Sequence, residues 1–202
     1  MKKITGYIIT LGLILVCGTA VVRCTRQEQM QRQLAEKVLR FHVLANSDSA
    51  EDQALKLQVR DVIGSYMQDK MQNQTSKAEC ESFIAESLPE IEHVAVRTVQ
   101  KAGFSYAVHA ELAACDFPVK TYGAYTFPAG TYDALQVTIG EGKGQNWWCV
   151  MYPNMCFENS MYEVVDEKAG RKLRAVLDEE EYQTVLNSGN YELRFWILEL
   201  FH

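Results

Sequence analysis

Apolar residues change their spacing along the chain, and the first clear pattern begins near residue 40. The run RFHVLAN (40–46), with Phe41, Val43 and Leu44 at its centre, predicts a buried strand. After it, apolar residues recur every three or four positions, as on one face of a helix: Leu55, Val59, Val62, Ile63, Tyr66 and Met67. Asp48 or Ser49 can cap this helix, and Glu51 and Asp52 fall in its first turn, where the helix dipole favours negative charge. The pattern predicts a strand followed directly by a helix.

A second helical stripe and then an alternating pattern follow. Ser76 and Glu79 have the spacing of a capping box, Pro89 is expected to restart the helix in a first turn, and Gly103 ends it. Beyond Gly103 the apolar period becomes two, as in half-buried strands. Strands are expected at 104–112, 121–127, 131–140 and 147–152, in a meander, with a polar helix at 163–186 and a last strand at 191–201. This order predicts a single α+β domain with a mostly antiparallel sheet packed with helices.

The N-terminus has the arrangement of an export segment. Lys2 and Lys3 precede an uncharged, mostly apolar stretch at 4–22, and small residues at Gly18 and Ala20 would permit cleavage after Ala20. A retained membrane anchor is the alternative, because the stretch is just long enough to span a bilayer. We therefore expect the chain to divide into a signal peptide or anchor (1–22), a lead-in helix or linker (23–39) and the α+β domain (40–202).

The charge of the chain restricts its partners. The 202 residues carry 20 basic and 26 acidic side chains, a net charge of −6, and no run of lysine or arginine stands out. Nucleic acids and anionic membrane surfaces both attract clustered positive charge, so neither is an expected ligand of the domain. The chain would meet a membrane through its N-terminal segment if that segment is retained.

Candidate chemistry is sparse. The glycine-rich segment GEGKGQN (140–146) lacks the lysine-then-serine pair and the following helix of a phosphate loop, so a hairpin loop is favoured. The four histidines have no metal-site spacing, and we expect no metal and no cofactor. His42, within the buried strand, is either a hydrogen-bonded core residue or a site residue. No catalytic group is identified.

Two polar or aromatic stretches are the best positioned for function. Asn46, Ser47 and Asp48 lie where a strand passes into a helix, a common place for ligand contacts, although the same residues also suit a helix cap. The adjacent Trp147 and Trp148 should point to opposite faces of a strand, so that one can pack in the core while the other remains exposed. An exposed tryptophan is a typical anchor of a protein interface.

The cysteine spacing favours a structural cross-link. Cys149 and Cys156 are too far apart for a thioredoxin-type pair, and no second close pair completes a zinc ribbon. A turn at Pro153 between them suits a disulfide in an oxidising compartment. Cys80 and Cys115 are either buried thiols or a second bridge, and Cys24 is unassigned.

Three long segments closely resemble the stage II sporulation protein R family. They are RFHVLANSDSAEDQALKLQVRDVI, FPVKTYGAYTFPAGTYDALQVTIGEGKGQNWWCVMYPNMCF and YELRFWILELF, and the resemblance covers the chain from about residue 40 to its end. It implies a protein made in the forespore and exported into the space between the forespore and mother-cell membranes. It also implies a role there as a signal, not an enzyme: activation of a membrane-bound aspartic protease that cleaves the precursor of sigma factor E.

The resemblance makes two segments better candidates for partner binding than helix capping and core packing alone would suggest. We expect a partner-binding surface that includes His42, Asn46, Ser47, Asp48, Asn146, Trp147 and Trp148. Two other functions are considered. One is an envelope hydrolase with His42 and Asp48 as an acid–base pair, which requires a hydrogen bond between them. The other is a glycan-binding module that stacks sugars on the tryptophans.

Overall fold

The computed structural model describes residues 2–71, 74–153, 155 and 167–186. Five helices lie in these ranges: α1 (Lys2–Lys37), α2 (Ala50–Lys70), α3 (Lys77–Lys101), α4 (Glu167–Val176) and α5 (Glu179–Leu186). The strands there are β1 (Leu39–Leu44), β2 (Val108–Phe117), β3 (Lys120–Tyr122), β4 (Tyr125–Phe127), β5 (Gly130–Ile139) and β6 (Asn146–Tyr152). The single α+β domain expected from the sequence is confirmed.

The main sheet is mixed, with strand order β2-β5-β1-β6. β1 runs parallel to β5 and antiparallel to β6, and β2 runs antiparallel to β5. The expected meander is wrong, because β1 lies between β5 and β6, and β3 and β4 pair in a separate two-stranded sheet. The physical reason lies in β1 itself. Residues 39–43 are all buried, so this strand gains more from a central position, covered on both faces, than from an edge position.

Each face of the sheet has its own core. The first core lies between the sheet and helices α2 and α3, and β1 contributes Leu39, Phe41 and Val43 to it. The second core, on the opposite face, is built from the end of α1, the β3–β4 hairpin, α4 and α5, and β6 contributes Val150 to it. The alternation of side chains along β1 places Arg40 and His42 on this second face.

The helices of the first core follow the sequence pattern with two differences. Ser49 caps α2 and Ser76 caps α3, each accepting a hydrogen bond from a backbone N–H three residues on. Val62, expected in the buried stripe, is 37% exposed. Pro89 lies inside α3 and does not restart it. Helix α3 continues through the proline because buried residues on either side of it, such as Ile84 and Ile91, hold both halves against the sheet.

Two further predictions need correction. The strand expected at 121–127 is a hairpin of two short strands, since Gly123 has φ of 56° and supplies a turn that other residues rarely adopt. The polar helix expected at 163–186 is interrupted between α4 and α5. The strand expected at 191–201 lies outside the described residues.

The fold does not decide whether the N-terminal segment directs export. Helix α1 begins at Lys2, and no helix in the described part of the chain combines the length and apolar character needed to cross a membrane. Export of the chain therefore stays a prediction.

Candidate functional site

Four of the predicted site residues lie at one end of the sheet: Asn46, Ser47, Asp48 and Asn146. Because β1 and β5 are parallel, their carboxyl ends meet there, and antiparallel β6 begins at the same end. Two polar loops, 45–49 after β1 and 140–145 before β6, lie side by side at this position. We use the name loop end of the sheet for these two loops and the adjoining Asn146. Open sheets with parallel strands often bind ligands at the carboxyl ends of those strands.

The two loops are joined by hydrogen bonds. Backbone N–H groups of Lys143 and Gly144 donate to the carbonyls of Asn46 (3.2 Å) and Ala45 (2.9 Å). The N–H of Glu141 donates to the side chain of Asn46 at 3.0 Å, and the N–H of Gln145 donates to a carboxylate oxygen of Asp48 at 2.6 Å. Asn46 and Asp48 therefore hold the glycine-rich loop in place.

Gly144 allows the loops to approach this closely. A Cβ at this position would overlap the carbonyl oxygen of Ser47, which is backbone and cannot rotate away. The hairpin interpretation of GEGKGQN is wrong, because β1 lies between β5 and β6, the two strands that this segment joins. The segment is a loop packed against its neighbour and contains glycine where the backbones meet.

Asp52 organises the turn beneath the loops. It is 4% exposed, and one of its carboxylate oxygens accepts from Ser47 Oγ at 2.6 Å and from Asn46 Nδ2 at 2.8 Å. Its own backbone N–H donates to the Ser49 cap at 3.1 Å. The hydrogen bonds from Ser47 and then Asn46 lower the pKa of Asp52 below its ordinary value of 3.8, outweighing the opposing effect of burial.

Replacing Asp52 with asparagine is expected to lower the free energy of unfolding at neutral pH by about 1.5–3 kcal/mol, the usual value of hydrogen bonds to a charged group. Since the pKa of Asp52 is lower in the folded chain than in the unfolded chain, the unfolded chain binds more protons in acid. The contribution of the carboxylate is therefore complete above pH 3.8 and is lost as the pH falls through the folded pKa. Urea unfolding of both proteins across this range measures it, and a difference that does not change with pH would contradict the assignment.

The tryptophans lie on opposite faces of β6, as predicted. Trp147 packs on the first core, with its ring centroid 5.4 Å from that of Phe41 and 5.1 Å from the guanidinium carbon of Arg60. Trp148 packs on the second face, 4.6 Å from Phe117 and 4.7 Å from His42. Both are half-buried, so neither is a fully exposed anchor.

His42 lies between aromatic rings in the row of side chains that crosses the sheet beside Trp148. It is 4% exposed, its Nε2 is 2.9 Å from Oε1 of Gln136, and its Nδ1 has no hydrogen-bond partner within the described part of the chain. Burial lowers the pKa of His42, so the ring is neutral near pH 7. It makes no hydrogen bond with Asp48, which bonds to the 140–145 loop instead. The acid–base pair that a hydrolase would require is not formed.

The cysteines of the described chain do not form a second bridge. Cys80 and Cys115 are buried free thiols in the first and second cores, on opposite faces of the sheet, and Cys24 is free and exposed. The partner proposed for Cys149, Cys156, lies outside the described residues, so that disulfide stays a prediction.

Across the described residues, no group of three or more potential ligands is arranged to hold a metal ion.

Sequence reasoning missed several residues around Trp148. Phe117 and Lys120 come from the end of β2 and from β3, and the Lys120 ammonium lies 6.0 Å from the Trp148 ring. Gln136 of β5 joins His42 to Cys115, whose thiol donates to the same oxygen at 3.1 Å. The strand pattern places Gln136 on the correct face, but nothing in the sequence indicates that the β3–β4 hairpin lies near β6.

Comparison with known proteins adds to this geometry. A profile of the family described as Stage II sporulation protein R matches residues 35–162. The stage II sporulation protein R of Bacillus subtilis (strain 168) is 33% identical over 183 residues, which cover 85% of this chain and 81% of that protein. No solved structure matches the chain. The profile match includes strands β1 to β6 and both loops of the loop end.

Proposed function

Because this chain belongs to the stage II sporulation protein R family and so has a role in sporulation, we propose that it is an exported protein signal of endospore formation. It is made in the forespore and enters the space between the forespore and mother-cell membranes. There it activates a membrane-bound aspartic protease of the mother cell, which cleaves the precursor of sigma factor E. It stays membrane-anchored if residues 1–22 are retained.

The family match is the observation that carries this proposal. It extends over the strands, the joined loops and both tryptophans, so the surface proposed for the partner lies within the part of the chain that defines the family. The arrangement of the site agrees with binding. His42 and Asp48 have separate hydrogen-bond partners, while Asn146 and Trp148 are half-buried on the same side of β6, within reach of another protein.

Reconstitution in a non-sporulating bacterium tests the function. The chain is co-expressed with the receptor protease and the sigma-factor precursor, and precursor cleavage is followed on a blot. We expect cleavage only when all three proteins are present and the chain keeps residues 1–22. A variant without these residues stays inside the cell and should give none.

Two outcomes would contradict the proposal. Equal cleavage with and without residues 1–22 would mean that the chain does not act from outside the membrane. No cleavage, with all three proteins made and the chain exported, would mean that this chain alone does not activate the protease.

A further inference from the structure

Three hydrogen-bond donors on the second face of the sheet have no acceptor among the described residues. Asn146 and Trp148 point to the same side of β6, and Lys120 approaches from β3 with its ammonium 6.0 Å from the Trp148 ring. We call this set the Trp148 face. None of the three donor groups makes a hydrogen bond or ion pair in the described chain: the side-chain amide of Asn146, the indole N–H of Trp148 and the ammonium of Lys120. None of them is a buried polar group without a partner. They are therefore open to solvent or to a ligand.

Other lysines of the domain contrast with Lys120. Lys37 lies 2.5 Å from a carboxylate oxygen of Glu181, and Lys77 lies 2.6 Å from one of Asp133. Lys120 is half-buried beside an aromatic ring and has no carboxylate within 4.0 Å among the described residues. A partly desolvated ammonium gains more from an opposite charge than an exposed one does.

The neighbouring groups on this side of the sheet do not supply that charge. Across the row, Trp148 is followed by His42, Gln136 and then Glu111, so the carboxylate of Glu111 is three strands away. Glu111 accepts from Gln136 at 3.4 Å. The Trp148 face thus presents donors and one positive charge in a domain whose chain carries a net charge of −6. Its complement is a group that only accepts hydrogen bonds and is negative.

We propose that the Trp148 face binds an Asp or Glu side chain of the protein partner, with Lys120 as the residue that selects the acidic group. A carboxylate only accepts hydrogen bonds and can pair with the Lys120 ammonium, and the aliphatic part of the acidic side chain can lie against the Trp148 ring. A neutral glycan would stack on the ring without requiring the ammonium. The inference rests on the proposed function, since it specifies how the signal recognises its receptor.

Carbodiimide cross-linking tests this contact directly, because the reagent joins a lysine amine to a carboxylate that touches it. The full chain and the receptor protease are co-expressed, membranes are treated, and cross-linked peptides are identified by mass spectrometry. We expect a link between Lys120 and an Asp or Glu of the protease. A link from Lys120 to cell-wall material, or no link from Lys120 while precursor cleavage proceeds, would overturn the inference and leave the proposed function standing.

Variants of Lys120 provide the functional measurement. Lys120→Met keeps the aliphatic contact with Trp148 and should reduce precursor cleavage about fivefold, whereas Lys120→Glu should reduce it more than tenfold through repulsion. Lys70→Met is the matched control, because Lys70 lies 4.4 Å from the Tyr66 ring at the far end of α2. It should stay within twofold of the wild type.

Reversal of the partner charge completes the test. Lysine at the cross-linked acidic position of the protease should restore cleavage by Lys120→Glu. Full activity of an exported Lys120→Glu chain would overturn the inference. If the wild type itself gives no cleavage, the proposed function fails and this inference fails with it.

Discussion

Replacing Arg40 with alanine is expected to lower the free energy of unfolding by about 3–5 kcal/mol, at the upper end of large-to-small core substitutions. Arg40 is 0% exposed, and its guanidinium carbon lies 4.3 Å from the Phe117 ring centroid and 5.0 Å from that of Tyr132. Alanine removes these contacts and opens a cavity at the centre of the second core. It also leaves two acceptors without their donor.

Those acceptors make the loss larger than packing alone would. Arg40 Nε donates to the backbone carbonyl of Cys149 and Nη2 donates to the Tyr122 hydroxyl, both at 3.0 Å. Each buried acceptor left without a donor costs about 1–3 kcal/mol. The contact with Tyr122 also attaches the β3–β4 hairpin to β1, so its loss should loosen the hairpin that carries Lys120.

Arg40→Met separates the loss of packing from the loss of the hydrogen bonds. Methionine keeps much of the contact with the rings and removes the buried Nη1, for which the described residues offer no hydrogen-bond partner. We expect it to be clearly less destabilised than the alanine variant. Denaturant unfolding followed by circular dichroism gives both values. A loss below about 1 kcal/mol for alanine would contradict the central role of Arg40 in the second core.

Replacing Trp148 with alanine is expected to reduce precursor cleavage about thirtyfold, which corresponds to a binding loss of about 2 kcal/mol at an interface hot spot. Its ring supplies the aromatic surface between Lys120 and His42, and its indole N–H is free to meet the partner. Trp148→Phe should give a smaller reduction, because the ring contact with Phe117 is largely kept while the N–H is lost.

A stability control is needed because Trp148 also packs on the second core. Val150→Ala removes a fully buried side chain from the same face of β6 and leaves the Trp148 face intact. It should be destabilised to a similar degree and still activate the protease. Equal activity of exported, folded Trp148→Ala and wild-type chains would contradict the assignment of Trp148 to the binding surface.

Local patterns were enough to predict the elements of the first core. The strand at 40–46 and the capped helix after it appear as β1 and α2, because one apolar stripe and one Ser cap specify them. The opposite orientation of Trp147 and Trp148 follows from strand geometry alone. The structural explanation of Asn46 and Asp48, weighed against binding at the sequence level, has direct support in their hydrogen bonds to the 140–145 loop.

Long-range pairing was not predictable in the same way. Nothing local indicates that β1 inserts between β5 and β6, because that order depends on which strand gains most from burial on both faces. For the same reason, the sequence did not indicate the roles of Lys120 and Arg40, which depend on long-range contacts. Lys120 reaches Trp148 only because the β3–β4 hairpin lies on the second face, and Arg40 reads in the sequence as the polar start of a strand.

The most direct test of the account is whether the exported chain holds the receptor protease through the Trp148 face. Tagged wild-type and Trp148→Ala chains are each co-expressed with the protease, extracted from membranes in mild detergent and purified, and the retained protease is quantified. The account predicts that the wild-type chain retains the protease and that the folded variant loses most of it. Equal retention by both chains, or none by a wild-type chain that still supports cleavage, would contradict it.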